Sequence, residues 1–593
     1  MATPGNRAIR RLLVANRGEI ALRIMRACRE MDIVSVAVYG DGEEHAPHVR
    51  YADEAYRLPA GTGLRYLDVE AVVSVAKSAN VDAVHPGYGF LAENARFARA
   101  VNDAGLVFVG PSPEAIAAMG DKVEARKIAT AAGIHPVPGT EDPVATLEAA
   151  AEAAEAVGYP VAVKAVGGGG GRGFRVAKTP ADLEEAFNGS SGEAARYFAN
   201  PEVYLERYLE RPRHIEVQVF ADTHGNVVSL GERDCSVQRR HQKLVEESPS
   251  VAVDDELRRR LGEATVTLAK EVGYTGAGTV EYLLDSTGSF HFLEMNTRIQ
   301  VEHTVTEMVT GIDLVKEQIR VAMGESLSFG TGDVAARGWA IECRVNAEDA
   351  GRDFAPGPGK LTTYGEPVGF GIRVDAALGA GDEVMPQYDS MIAKVITWGR
   401  DREEARRRMV RALTDYRIEG VPTTIPFHLN LLDHDQFISG DLSTTFLTEY
   451  PEVLPIPASD VGGQSPNGDV TAPLELVVEV NGRRFDTVIH GMTPVRNGSG
   501  SEPRGRPKRP GAARGGVATA AGDDLVSPIQ GTVIRVQVAN GDQVEQGQVI
   551  CVVEAMKMEN DLVAHKDGVV SGLNEEAGAT VSIGQVVATI TSV

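Results

Sequence analysis

Val161-Ala162-Val163-Lys164-Ala165-Val166 runs directly into Gly167-Gly168-Gly169-Gly170-Gly171-Arg172-Gly173, and Phe174-Arg175-Val176 follows. The first six residues read as a short buried strand carrying one lysine, and the last three as the strand resuming after a turn. A run of glycines lets successive backbone N–H groups close on an anion with no side chain in the way. No Gly-Lys-Ser or Gly-Lys-Thr follows and no helix opens there, so the loop is not of the Walker type. It predicts a hairpin lid over a phosphate-bearing ligand. A flexible linker would explain neither the strands on both sides nor the lysine within the first of them.

The next 130 or so residues concentrate reactive side chains. Arg213-His214-Ile215-Glu216-Val217-Gln218-Val219 alternates with period two, which puts His214, Glu216 and Gln218 on one face of a strand. The dense polar run from Glu232 to Lys243 reads, taken by itself, as a solvated edge. Gly278 to Leu284 and Phe290 to Asn296 read as two strands joined by Asp285-Ser286-Thr287-Gly288-Ser289. Their pairing brings Glu281 beside Glu294, with Asn296 adding an oxygen ligand. Two carboxylates facing one way repel unless a cation sits between them, and Mg²⁺ favours carboxylate oxygens together with nucleotide phosphates. Arg298, Gln300, Glu302 and His303 follow at once.

Upstream, residues 1–120 alternate strand and helix. Arg11 to Ala15 and Ile33 to Tyr39 read as buried strands around a helix ending near Met31, the start of an open α/β sheet. Asn16-Arg17-Gly18-Glu19 opens that helix; anion binding and a plain structural turn both fit it. His85-Pro86-Gly87-Tyr88-Gly89-Phe90 follows a strand, where open α/β sheets place their ligands. Downstream, 401–418 reads as a charged amphipathic helix, and Asn481-Gly482 marks a hairpin between Leu474–Val480 and Arg483–Ile489. Residues 498–522 are rich in Gly, Pro, Ser and Ala and read as a flexible linker. Beyond it, Gly531, Gly541, Val544, Gly547, Gln548 and Val549 recur 37 residues later as Gly568, Gly578, Val581, Gly584, Gln585 and Val586. The repeat predicts a small all-β unit from two copies of one element. Between the copies lies Glu554-Ala555-Met556-Lys557-Met558, a turn lysine flanked by apolar residues that an ordinary solvated turn has no reason to expose.

Composition narrows the function class. The 593 residues suffice for about four domains at roughly 150 residues each. A net charge of −24 argues against nucleic acid and anionic membrane surfaces as partners. Cys28, Cys235, Cys343 and Cys551 lie far apart, which indicates neither a disulfide framework nor a zinc site. No apolar run reaches a signal peptide or a membrane span, and a cytoplasmic location is expected.

Taken together, His85 to Leu91, Lys164 to Gly173, Arg233 to Lys243, Glu294 to His303 and Ile341 to Glu348 resemble the motifs of biotin carboxylases of the ATP-grasp superfamily, over residues 5–450. Ala555-Met556-Lys557-Met558 resembles the attachment motif of biotinyl carrier domains. The combination is that of acyl-CoA carboxylase α subunits. The resemblance implies an α/β fold: an open α/β N-terminal domain at 5–120, an ATP-grasp lid and central domain at 121–325, and a C-terminal α+β lobe at 326–450. A short hairpin connector at 451–497, the linker at 498–522 and an all-β biotinyl domain at 523–593 complete it. The hairpin is shorter than the barrel with which some related subunits dock their partner.

The resemblance also implies the chemistry: bicarbonate, activated by ATP as carboxyphosphate, carboxylates biotin. Lys122, Lys164, His214, His241 and the Gly170 and Gly171 backbone are implied to hold the nucleotide, with Glu206, Arg207 and Leu209 on the adenine side. Glu281, Glu294 and Asn296 are implied to hold Mg²⁺ or Mn²⁺. Lys243, Arg298, Gln300 and the Val301 backbone are implied to bind bicarbonate, Glu302 to act as its base, and Arg344, with Tyr88 and Asp389, to meet the biotin ring. Lys557 is the implied site of covalent biotin. The implied partners are a separate carboxyltransferase β subunit, a biotin protein ligase, and further copies of this chain within an α/β complex. Acetyl- or propionyl-CoA is the implied acceptor class. Another ATP-grasp ligase, and a lipoyl- or biotin-bearing scaffold with an inactive ATP site, are the competing readings; the first predicts turnover without biotin, the second no bicarbonate-dependent ADP release.

Overall fold

The computed structural model describes residues 8–61, 64–140, 142–166, 174–198, 201–456, 474–480, 483–489, 523–527, 531–555, 558–573, 579–581 and 585–591. Arg11–Val14, Val34–Tyr39, Glu54–Arg57, Ala83–His85 and Val107–Phe108 form one parallel sheet. Covered on both faces, such strands are continuously apolar. Leu12 and Val14 pack with the helix Gly18–Glu30, and Leu13 packs in the cluster that includes the helix Val69–Ser78. The strand order is 54–57, 34–39, 11–14, 83–85, 107–108, so the winding reverses between Arg11–Val14 and Ala83–His85. A crevice opens at the carboxyl ends of strands where an open sheet changes direction in this way.

Two loops border that crevice, and Asn16 ties them together. Its Nδ2 donates to the carbonyls of Pro86 and Tyr88, each at 2.7 Å. Gly87 has φ +64°, and a Cβ there would come within 2.9 Å of Asn16 Nδ2, so glycine is required by both conformation and space. The Asn16-Arg17-Gly18-Glu19 turn is thus engaged structurally. Arg17 Nε donates to the buried Glu43 at 2.6 Å, and Glu19 accepts from the Tyr88 hydroxyl.

The larger sheet is antiparallel and eight-stranded. Its order is Phe290–Asn296, Gly276–Leu284, Arg213–Ala221, Val227–Arg239, Gln242–Ser248, Trp339–Asn346, Met391–Gly399 and Ile372–Ala376. It passes through the expected 325/326 boundary without a break, because Gln242–Ser248 pairs with Trp339–Asn346. The polar run 232–243 is not a solvated edge. It falls mostly on an internal strand, with Glu232, Arg233, Asp234, Ser236 and Gln238 all buried, since partners supplied by distant segments satisfy the charges. A separate three-stranded sheet carries Val161–Ala165 between Phe174–Ala177 and Val203–Arg207. The lid hairpin is therefore present, while Gly170 and Gly171 lie outside the described residues.

Ile456–Val553 and Asp561–Val593 form a second unit. Leu474–Val480 and Arg483–Ile489 pair as the expected hairpin; the linker at 498–522 lies outside the described residues. The carrier unit consists of two four-stranded sheets. Their orders are Asp524–Val526, Val586–Thr591, Gly568–Ser571, Gln543–Val544, and Met558–Val563, Val549–Ala555, Gly531–Val536, Thr580–Val581. Shifting by the repeat length maps one order onto the other, strand for strand, so the two half-repeats build equivalent sheets. Met556 and Lys557, between two neighbouring strands in sequence, lie outside the described residues. Among the described residues no helix is long and apolar enough to cross a membrane.

Candidate active site

Arg233 organises the centre of the large sheet. Its side chain is fully buried and donates to Glu216 Oε1 (2.5 Å), Gln218 Oε1 (2.7 Å), Thr306 Oγ1 (2.9 Å), Thr279 Oγ1 (3.2 Å) and Gln300 Oε1 (2.7 Å). Period-two alternation aims Glu216 and Gln218 at it from the neighbouring strand. Truncation to Arg233→Ala leaves Glu216 with Lys243 as its remaining cation and removes the donor to Gln218 and Gln300; loss of one partner of a buried pair costs about 3–5 kcal/mol. Urea unfolding of the variant is expected to show a midpoint lowered accordingly.

Above this base lies a chain of alternating charges. Lys243 Nζ contacts Glu216, Glu281 Oε1 at 2.9 Å and Glu302 Oε1 at 2.6 Å. The other oxygen of Glu302 accepts from Arg344 at 2.9 Å, and Arg344 Nε is held by Glu246 Oε1 at 2.6 Å. Burial opposes charge on Glu302, but Lys243, Arg344 and Arg233 outweigh it and hold the carboxyl well below its usual range. Burial likewise opposes charge on Lys243, and Glu216, Glu281 and Glu302 outweigh it, so the ammonium persists. His214, Glu216 and Glu281 could group around a metal ion, but the Lys243 ammonium already touches both carboxylates of that group.

Glu281 and Glu294 stand directly opposite each other in the paired strands. Glu281 is saturated: Lys243, Asn296 Nδ2 (2.9 Å) and Gln300 Nε2 (2.9 Å) bond Oε1, and His214 Nε2 lies 2.9 Å from Oε2. Burial opposes its charge, but Lys243 and His214 push its pKa down. Burial also lowers the affinity of His214 for a proton, and Glu281 more than restores it. Glu294 is exposed and makes no hydrogen bond or ion pair among the described residues. Its pKa is raised, first by desolvation and then by Glu281. This pair, one carboxylate satisfied and the other open and repelled, suits a divalent cation that arrives with its own phosphate ligands. Asn296 Oδ1 accepts from Arg298 at 2.9 Å, so its amide would have to exchange partners to join such a site.

On the lid side, Lys164 and Glu206 face each other across adjacent strands and are ion-paired, with Arg126 Nη1 3.2 Å from the second Glu206 oxygen. Arg207 points to the opposite face, where it donates to Val157 O, and so does not join them. Leu209 is half-buried just beyond. Lys122 begins the helix Lys122–Ala131, and its charge reaches Glu294. His241 sits on the two-residue turn between Arg239 and Gln242, where Arg240 (φ +48°) and His241 (φ +66°) adopt the left-handed conformation two-residue hairpins require. Neither is glycine, and strain of this kind concentrates at functional sites. Burial, then Lys164 and His214, lower the pKa of His241, which places it between lid and sheet.

At the far end, Arg298 Nε pairs with Glu93 at 2.8 Å. The Val301 carbonyl accepts from the fully buried Lys394, whose Nζ is 3.4 Å from Glu19 and 5.9 Å from the centre of the Tyr88 ring. Burial and then Glu19 push the Tyr88 hydroxyl far above its ordinary pKa. Asp389 is exposed, with its charge within reach of Tyr88. Sequence reading did not single out Glu216, Arg233, Glu246 or Lys394 as site residues. Glu216 had its place on the His214 face of a strand as a signal and Arg233 its motif, whereas a charged residue within an apolar strand was the local signal for Glu246 and Lys394.

The comparisons agree with this architecture. Family models match residues 8–116 (biotin carboxylase, N-terminal domain), 121–329 (carbamoyl-phosphate synthase L chain, ATP binding domain), 342–449 (biotin carboxylase C-terminal domain) and 523–590 (biotin-requiring enzyme). The chain is 45% identical over 602 residues to the biotin-dependent acyl-coenzyme A carboxylase alpha3 subunit of Mycobacterium leprae, covering 100% of both. It is 54% identical over 444 residues to biotin carboxylase 1 of Bacillus subtilis, covering 74% of this chain and 99% of that one. The biotin carboxylase domain of Hydrogenobacter thermophilus 2-oxoglutarate carboxylase, solved with MgADP, ADP and bicarbonate, superposes with a TM-score of 0.72 at 47% identity, covering 75% of this chain and 99% of that one. The chain therefore belongs to the biotin carboxylases, ATP-dependent ligases of the ATP-grasp fold, in the form fused to a biotinyl domain and related to acyl-CoA carboxylase α subunits.

Proposed function

We propose that this protein carries out the first half-reaction of an acetyl- or propionyl-CoA type carboxylase, the ATP-dependent carboxylation of biotin on its own carrier unit by bicarbonate. One observation carries the reading: the unbroken run of ion pairs from His214 and Glu281 through Lys243 and Glu302 to Arg344. It joins a nucleotide-and-metal end to an oxyanion-binding end. Phosphoryl transfer depends on positioning and charge neutralisation, which such a row of fixed charges supplies.

Lys122, Lys164, His214, His241 and the Gly170 and Gly171 backbone hold the nucleotide with its phosphates. Glu206 and Leu209 line the adenine side; Arg207 contributes its backbone there, its side chain facing away. A divalent cation bound by Glu281, Glu294 and Asn296 would neutralise charge between phosphates. Lys243, Arg298, Gln300 and the Val301 backbone hold bicarbonate, and Glu302 takes its proton. Bicarbonate held by Lys243 would replace the Lys243–Glu302 contact, one of the ion pairs that keep Glu302 ionised in the free protein; losing it raises the basicity of Glu302 at the moment it is needed. Arg344, with Tyr88 and Asp389, receives the biotin ring and stabilises its oxyanion, for which a permanently charged planar guanidinium is suited. Lys557 carries biotin, loaded by a biotin protein ligase, and a separate carboxyltransferase subunit accepts the carboxyl group. The M. leprae and Ruegeria pomeroyi relatives, an acyl-CoA carboxylase and a propionyl-CoA carboxylase chain, support that acceptor class.

The test is ADP release and fixation of labelled bicarbonate, with and without free biotin, followed by acyl-CoA assays of the complex purified with its endogenous partner. Biotin-dependent fixation is expected. Turnover that is unaffected by biotin, with no labelled biotin formed, would overturn the reading in favour of a different ATP-grasp ligase, and no bicarbonate-dependent ADP release would favour the scaffold with an inactive ATP site.

A further inference from the structure

Behind Arg344 lies a pair of carboxyls with no part in the scheme above. Glu246 and Glu342 are both fully buried and stand directly opposite each other on the paired strands Gln242–Ser248 and Trp339–Asn346. Opposed side chains in such strands have Cβ atoms about 4.5–5.5 Å apart. Glu246 uses one oxygen, Oε1, for Arg344: Nε at 2.6 Å and Nη2 at 2.5 Å. Glu342 uses Oε2, which accepts from Thr304 Oγ1. The remaining oxygens, Glu246 Oε2 and Glu342 Oε1, are buried, and neither has a hydrogen-bond donor among the described residues. Two opposed buried acceptors without donors violate the near-universal pairing of buried polar atoms, and a proton between them satisfies both.

The geometry points to Glu246 as a positioning residue for Arg344, sharing one proton with Glu342 so that the pair carries a single negative charge. This rests on the biotin carboxylase reading and assigns Arg344 its support. The groups facing the pair are consistent. Arg344 and Glu302 lie beside Glu246, with Lys243 farther along the same strand. Lys394 and Thr304 face Glu342 from the neighbouring strand and the helix His303–Thr310. The Cys235 and Cys343 thiols, pushed far up by burial and by nearby carboxylates, stay neutral. Burial is the main cause raising both carboxyls; Arg344 opposes it at Glu246 and Lys394 at Glu342, and a neighbouring carboxylate adds to it at each. Two full charges here would draw Arg344 away from Glu302 and the substrate. One charge holds the guanidinium at Nε and Nη2 through Glu246 Oε1 while Nη2 still donates to Glu302 Oε2.

Two variants of the full-length protein test this. In Glu246→Gln, carboxylation of free biotin is expected to fall ~10-fold or more in kcat with KM for ATP within about twofold. Bicarbonate-dependent, biotin-independent ADP release persists in that variant, and Glu246→Asp recovers part of the lost rate. In Glu342→Gln, a wild-type-minus-variant infrared difference spectrum at neutral pH shows the C=O band of a protonated carboxyl. The sign of the stability change follows. Carboxyls raised in the folded state bind protons that the unfolded chain has released, so wild-type stability falls as pH rises from the ordinary glutamate range through the pair's raised value. Glu342→Gln flattens that slope. A difference spectrum with carboxylate bands alone means two charges bridged by water, and overturns the shared proton. Equal loss of both ADP-releasing activities in Glu246→Gln, or no loss in either, overturns the positioning role. Absence of biotin carboxylation by the wild type would instead refute the underlying functional reading.

Discussion

Replacing Lys557 by arginine is expected to abolish acyl-CoA carboxylation by the assembled enzyme while free biotin at millimolar concentration is still carboxylated at close to the wild-type rate. Arginine retains the positive charge and length but offers no primary amine for an amide bond to biotin, so mass spectrometry should find no biotin on the chain. The magnitude follows from tethering. The Gly-, Pro-, Ser- and Ala-rich composition of residues 498–522 predicts a coil whose r.m.s. reach is roughly 25–30 Å, and attachment at that distance corresponds to an effective concentration of order millimolar. Free biotin can replace that concentration at the ATP site. It cannot carry the carboxyl group to a second site as a tethered group does, and the overall reaction stops. Acyl-CoA carboxylation surviving in Lys557→Arg would mean that the carrier unit plays no part.

Glu302→Gln is expected to lower kcat for biotin carboxylation by about 10²–10⁴, the range for losing a positioned general base. Glutamine keeps the shape and one acceptor oxygen, and Lys243 retains Glu216 and Glu281 as counter-ions. The fold and KM for ATP should therefore change little. The loss should persist across the neutral range, because Lys243, Arg344 and Arg233 keep the wild-type carboxyl ionised well below its usual titration range. A pH–rate profile measured beside the variant separates a missing base from a general loss of structure. Activity within a few-fold of wild type would remove Glu302 from the chemistry.

Much of this protein was legible from local pattern. Strand periodicity identified the paired strands that set Glu281 opposite Glu294, because a two-residue period and a short connection leave few registers open. The repeat between Gly531 and Val586 anticipated a small all-β unit from two copies of one element, which the structure arranges as two equivalent sheets. Taken by itself the polar run 232–243 reads as an edge, because nothing near it in sequence reveals that Glu216, Thr279, Gln300 and Thr306 converge on Arg233. Arg207 shows a similar limit: only its place on the strand sends it to the face away from Lys164 and Glu206.

The amino-acid sequence by itself determined the strands, the hairpin that flanks the glycine run, the twofold repeat near the C-terminus and the charged residue types set on the strands, since each follows from neighbours within a few positions. Only the tertiary structure decided which charges meet. Lys243 among three carboxylates, Arg344 shared between Glu246 and Glu302, and Glu246 opposed to Glu342 arise where strands distant in the chain pair in one sheet. In a buried setting a charge is tolerated only with its partner, and those partners are supplied by the fold.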